Sequence, residues 1–145
     1  MLAAVYAALT MVLWPISYGP IQFRVAEAMT VLPYLYPEAV PGLFFGCLIA
    51  NIFGGQGMSD IVFGSLATLV SALISRRIKT LWLVPMPPVL INAVVVGAVL
   101  SITFGLPFWL TAAEVGLGQL GACYVLGMPL LHFLRKRFNP SDTKF

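Results

Sequence analysis

The sequence predicts an all-α integral membrane protein, and three observations carry that reading. Charged residues make up 9% of the 145-residue chain and hydrophobic residues 60%, where a soluble domain averages about 25% charged. Mean hydropathy is +0.97. A soluble fold of this length would leave roughly a third of its unfolded surface wet, and so few charges cannot cover it. The charges are also bunched, leaving uncharged blocks at 1–23, 28–37, 39–59, 61–75, 80–113 and 115–134. Lipid is the expected solvent. The glycines and prolines sit inside apolar stretches, where membrane helices tolerate them. With no linker, low-complexity tract or repeat, residues 1–145 are read as one transmembrane domain.

The blocks predict six helices, at about 1–16, 24–36, 40–54, 59–78, 85–104 and 111–137. Pro15, Gly19 and Pro20 end the first. Pro37 and Pro41 bracket the second junction. Gly54-Gly55-Gln56-Gly57 is a turn, Ser59 can cap the fourth helix, and Pro85, Pro87 and Pro88 mark entry to the fifth. Spanning takes about 20 apolar residues, so the shorter blocks require tilt or shielding by neighbours. Sixteen residues reach only about 24 Å. Met1 opens onto apolar sequence with no basic flank, so a natural start a few residues upstream is expected, and a signal peptide is not.

Orientation follows from the basic residues. Arg76, Arg77 and Lys79 lie between the fourth and fifth helices, and Arg135, Lys136, Arg137 and Lys144 follow the sixth. Two helices separate these clusters, so both can face the cytoplasm, with the N-terminus there as well. The net charge of +3 is thereby spent on topology and gives no case for nucleic acid.

Glu27, Asp60 and Glu114 then fall toward the outer side, with Arg24 as the one outer cation. Ionisable groups within a membrane fold are costly and by default mark a site. Three acids around one base suit a ligand with a positive amine and several hydrogen-bond donors. Each has a bland alternative. Arg24 and Glu27 have the spacing of a helix-face ion pair. Asp60 follows Ser59 at a helix start, where the dipole favours an acid. Glu114 follows Thr111 at capping-box spacing. The amides Asn51, Asn92 and Gln119 can read a base edge or bond between helices. Tyr18, Phe23, Tyr34 and Trp109 can stack on a flat ligand or form an interfacial belt, the expected place of Trp82 and His132. Cys47 and Cys123 are read as small buried hydrophobes. Ala3 with Ala7, and Ala4 with Ala8, give small-residue spacing that lets another helix approach, from this chain or a partner.

The chain has no P-loop, HExxH, GxSxG or cysteine–histidine metal set, so no catalytic residue or metal ligand is assigned. Paired half-repeats of secondary transporters are likewise not seen.

The run Pro15-Ile-Ser-Tyr-Gly-Pro-Ile-Gln-Phe-Arg-Val-Ala-Glu27 resembles the first loop and second helix of the QueT-type family. These are substrate-binding (S) components of energy-coupling factor (ECF) transporters for queuosine precursors. Similar segments follow in order: 42–51, Asp60 to Thr68, 87–92 and 124–130. The resemblance implies a six-helix S-component bundle in the bacterial plasma membrane, with both termini cytoplasmic. It implies a 7-deazaguanine ligand, most simply preQ1 with its cationic aminomethyl group. Partners would be a membrane coupling (T) protein, docked on the small face of the first helix, and two cytoplasmic ATPases that use the ATP, so this chain needs no cofactor. Glu27 would meet the amine or the guanine-like N–H edge, with Glu114 and Gln119 completing the clamp. Asn51 would read the base edge, Arg24 would orient Glu27 or meet the carbonyl, and Tyr18 and Tyr34 would stack or close over the ligand. The family is expected to carry Glu at Gln119, so that contact is either lost or supplied by Glu114. The rival readings are an S component for another vitamin-like ligand and a stand-alone secondary carrier.

Overall fold

The computed structural model describes residues 1–19, 22–55 and 57–138. Pro20, Gln56 and Lys144 lie outside them. Among the described residues the chain is all-helical, with no strand.

Six helices are expected; among the described residues the α-helices number seven. The first expected helix is divided into α1, Leu2–Val12, and α2, Trp14–Ser17. Leu13 between them has φ −99° and ψ 31°. Pro15 explains the break, because it has no N–H for the carbonyl four residues back and its ring crowds that carbonyl. The second expected helix is not α but a 3₁₀ helix, Val25–Tyr34. At about 2.0 Å per residue its ten residues cover about 20 Å, against about 15 Å as an α-helix. The tighter winding lengthens the block, which still falls short of the roughly 30 Å hydrocarbon core.

Helix α3, Ala39–Gly54, closes on Gly55 at φ 67°. A π-helical stretch, Asp60–Gly64, leads into α4, Ser65–Ser75, which ends before the expected 78. A short 3₁₀ turn at Leu81–Leu83 precedes α5, Met86–Phe104. The last expected helix begins earlier than 111, at Phe108. It runs as α6, Phe108–Leu120, a π stretch, Gly121–Gly127, and α7, Met128–Phe138.

Glycine contacts fix the packing. Positions 42, 46 and 54 of α3 lie against Leu2, Tyr6 and Tyr18, so α1 and α3 run parallel. Gly118, Gly121 and Gly127 lie against Gln22, Phe23 and Ala28, so the last rod runs parallel to the 3₁₀ helix. The first helix opposes that 3₁₀ helix, pairing Tyr6 with Glu27 and the Ile16 carbonyl with the Phe23 amide. Met1, Tyr34, the Arg76–Lys79 link and the end of α7 therefore share one end of the bundle. Tyr18, Gln22 and Asp60 lie toward the other.

Large apolar side chains are exposed on every rod except the 3₁₀ helix, among them Val12, Phe53, Leu66, Leu90, Ile102, Trp109 and Val125. Such a surface is incompatible with water over its whole extent. The segments Leu81–Phe104 and Phe108–Arg137 are long and apolar enough to cross a bilayer. The inside of the bundle is correspondingly polar: Thr10, Arg24, Glu27, Thr30, Asn51, Asp60, Thr68, Ser71 and Asn92 are all buried. The fold is that of a membrane protein with its polar groups turned inward.

Candidate functional site

The polar interior has a centre. Arg24 opens the 3₁₀ helix and reaches the end of α3 and the π stretch before α4. Its Nη2 donates to Asp60 Oδ2 at 3.3 Å and to Gln22 Oε1 at 3.4 Å. Its guanidinium lies 5.0 Å from the centroid of the Tyr18 ring, in cation–π range. Asn51 Nδ2 donates to the Asp60 carbonyl at 3.1 Å. The Cys47 thiol sits beneath this group, taking contacts from Arg24 Nη1 at 4.0 Å, Asn51 Nδ2 at 3.6 Å and Thr68 Oγ1 at 3.4 Å.

The π stretch sets the register of Asp60. π-bulges often mark functional sites, because the wider turn re-aims side chains. Gly64 within it leaves room for the Asn51 amide, since a Cβ there would lie 3.1 Å from Nδ2.

One turn along the 3₁₀ helix, Glu27 takes the Tyr6 hydroxyl hydrogen bond on Oε1. Residues three apart eclipse in a 3₁₀ helix, so Arg24, Glu27 and Thr30 share an edge. Thr30 donates to the Glu27 carbonyl at 2.6 Å. Cys123 packs against the same carbonyl at 3.6 Å and donates to Gln119 Oε1 at 3.6 Å, bringing Gln119 to the Glu27 side.

Several buried polar atoms of the interior have no hydrogen-bond partner among the described residues: Ser17 Oγ, Arg24 Nε, Glu27 Oε2, Asn51 Oδ1, Asp60 Oδ1, Ser65 Oγ and Asn92 Nδ2. Burying such atoms unpaired costs about 1–3 kcal/mol each, more when charged. The charge balance is also open. Asp60 forms an ion pair with Arg24, whereas Glu27 forms none among the described residues and takes the Tyr6 hydroxyl on one oxygen. A cavity of about 520 Å³ lies beside this cluster, lined by Trp14, Tyr18, Gln22, Leu110 and Glu114 among others. Tyr18 and Gln22 belong to both, so they form the wall between cavity and polar centre.

The structure brings together Arg24, Glu27, Asn51, Asp60, Gln119 and Tyr18. It places Glu114 on the cavity, half-buried. The capping-box alternative for Glu114 does not hold: helix α6 starts at Phe108, and Thr111 bonds the Gly97 carbonyl of α5 at 2.9 Å. The Arg24–Glu27 helix-face pair is likewise replaced by Arg24–Asp60. Asn92 is buried on α5, and its Nδ2 has no hydrogen-bond partner among the described residues. Tyr34 is a correction. It packs with Val31, Leu81, Val84 and Leu131 at the opposite end, because the 3₁₀ helix carries it about 20 Å from Arg24. It cannot stack on a ligand held there. The alanines divide. Ala3 lies against α3 and Ala7 is buried in the core with Val40 and Leu43, whereas Ala4 and Ala8 are exposed.

Sequence reasoning missed Tyr6, Gln22 and the central place of Cys47. The signal for Cys47 was its position one turn before Asn51, on the same helix face. Tyr6 gave no signal beyond being a polar atom in an uncharged helix.

Among the described residues, then, a helical bundle with a membrane-compatible surface holds a buried polar cluster, some of whose atoms are unpaired, beside a cavity. The chain matches the QueT transporter family over residues 1–136 and belongs to that family. It is 40% identical over 70 residues to the "Queuosine precursor transporter QueT" of Lactococcus lactis subsp. cremoris (strain MG1363). That stretch is 47% of this chain and 41% of the relative, so the match spans less than half the relative's length. No solved structure matches the chain.

Proposed function

We propose that this protein takes up a queuosine precursor, and that it does so as the substrate-binding S component of an ECF-type importer. The ligand is a 7-deazaguanine with a cationic substituent, preQ1 in the simplest case. One observation carries the reading: the partnerless atoms around Arg24 form a set that such a base would complete. Glu27 Oε2, Asn51 Oδ1 and Asp60 Oδ1 accept, matching the ring N–H, exocyclic amine and aminomethyl donors. Arg24 Nε donates and suits the ring carbonyl. Glu27 supplies the negative charge for the amine, with Gln119 beside it and Glu114 along the entry cavity. Tyr18 is held against Arg24 and bonded to the Ala50 carbonyl at 2.7 Å, so it serves as a wall of the site. A flat, rigid ligand loses few rotors on burial.

Import then requires release on the other side. The exposed Ala4–Ala8 face of α1 is a surface on which a coupling protein can dock closely, with two cytoplasmic ATPases supplying the energy. The basic end of the bundle would face the cytoplasm. Native mass spectrometry of the detergent-solubilised protein tests the ligand, with a bound 7-deazaguanine as the expected result. A different vitamin-like molecule in its place would overturn the substrate. Uptake in vesicles lacking any ATPase partner would overturn the S-component mechanism in favour of a stand-alone carrier.

A further inference from the structure

At the end of the bundle away from the polar centre, α4, the Leu81–Leu83 turn and α5 enclose a groove of about 340 Å³. Its walls are apolar side chains, among them Ile74, Ile78, Leu83, Met86, Leu90 and Ile91. Ile74, Leu83 and Leu90 are exposed, so the groove opens outward from the bundle into the bilayer. Its mouth is basic. Arg77 and Lys79 flank Ile78 in the link after α4, with Arg76 adjacent; all three are exposed, and none is in an ion pair among the described residues. The link is pinned, because Ser75 Oγ donates to the Val84 carbonyl at 2.9 Å. Trp82, 63% exposed beside Leu83, is placed as interfacial indoles are.

We propose that this groove binds one anionic phospholipid, an acyl chain lying along α4 and α5 and the phosphate on Arg77 and Lys79. The wholly apolar walls suit a hydrocarbon chain and offer nothing to a polar solute. The cations at the mouth select a negative head group over a zwitterionic one, since each basic residue near an anionic surface favours it by roughly fivefold.

The test is fluorescence quenching of Trp82, in full-length protein with Trp14→Phe and Trp109→Phe, reconstituted into phosphatidylcholine vesicles doped with brominated phosphatidylglycerol or brominated phosphatidylcholine. The expected result is stronger quenching by the phosphatidylglycerol, with at least a fivefold preference. Arg77→Ala with Lys79→Ala should reduce that preference to near one while quenching by phosphatidylcholine persists, which also shows that the protein is still folded and inserted. Equal quenching by the two lipids, or a preference surviving the double substitution, would overturn the proposal. Quenching by neither would mean that protein covers the groove, and would overturn it too.

Discussion

Glu27 is almost fully buried, shares one oxygen with the Tyr6 hydroxyl and leaves the other unmatched. A carboxylate in that position is a standing demand for a cation. Replacing Glu27 with Gln keeps the shape and removes the charge. Loss of a charge-assisted bond is worth about 1.5–3 kcal/mol, so affinity for an aminomethyl-deazaguanine should fall at least tenfold by titration calorimetry. Unchanged affinity would remove Glu27 from the site. Asp60 behaves differently, because its partner is in the chain. Asp60→Asn leaves Arg24 buried without its counter-charge, a loss of about 3–5 kcal/mol for a buried pair. It should lower the thermal midpoint of the ligand-free protein, which Glu27→Gln should not do. Arg24, Asp60 and Glu27 were legible in the sequence because charges in apolar sequence are conspicuous. Which acid Arg24 chooses was not legible. It depends on the π register of Asp60–Gly64, which no local spacing reveals.

At the scale of elements, the rods were legible from uncharged blocks and breakers, but their winding was not. Pro15 announces the break at Leu13; nothing in Val25–Tyr34 announces a 3₁₀ helix. Burial on nearly every side selects that winding, and burial is a property of the neighbours. The misplacement of Tyr34 has another source: a helix over 24–36 of either winding carries it to the end opposite Arg24. The π stretch offers a direct test. Deleting Val62 should convert Asp60–Gly64 to regular α-helix and turn Asp60 about 100° relative to α4. Ligand binding should be lost while helical content by circular dichroism is kept. Retained binding would show that the bulge does not aim Asp60. Close packing gives a second test. A Cβ at Gly118 would lie 2.5 Å from the Gln22 carbonyl. Gly118→Ala should therefore push the Gln22 segment off α6 and weaken binding, with a stability cost of about 1–3 kcal/mol. A neutral outcome would mean that this contact does not position the loop.

The whole molecule is a bundle with opposite surfaces inverted relative to a soluble protein: polar groups within, apolar groups out. Composition alone made that legible. The division of the two alanine pairs was not legible, since both have the same spacing. Only the packing of α1 on α3 assigns Ala3 and Ala7 inward and leaves Ala4 and Ala8 free. Ala4→Leu with Ala8→Leu should therefore abolish co-purification with a coupling protein while ligand affinity stays unchanged. If the assembly survives, docking uses another face. The central claim is electrostatic: a buried excess of carboxylate over guanidinium holds a cationic base. The most direct measurement compares the affinities of preQ1 and preQ0 for the purified protein, because the two share the ring and differ in the charge of the 7-substituent. The account predicts preQ1 tighter by at least tenfold, with the gap closing in Glu27→Gln. Equal affinities in the unsubstituted protein would contradict it.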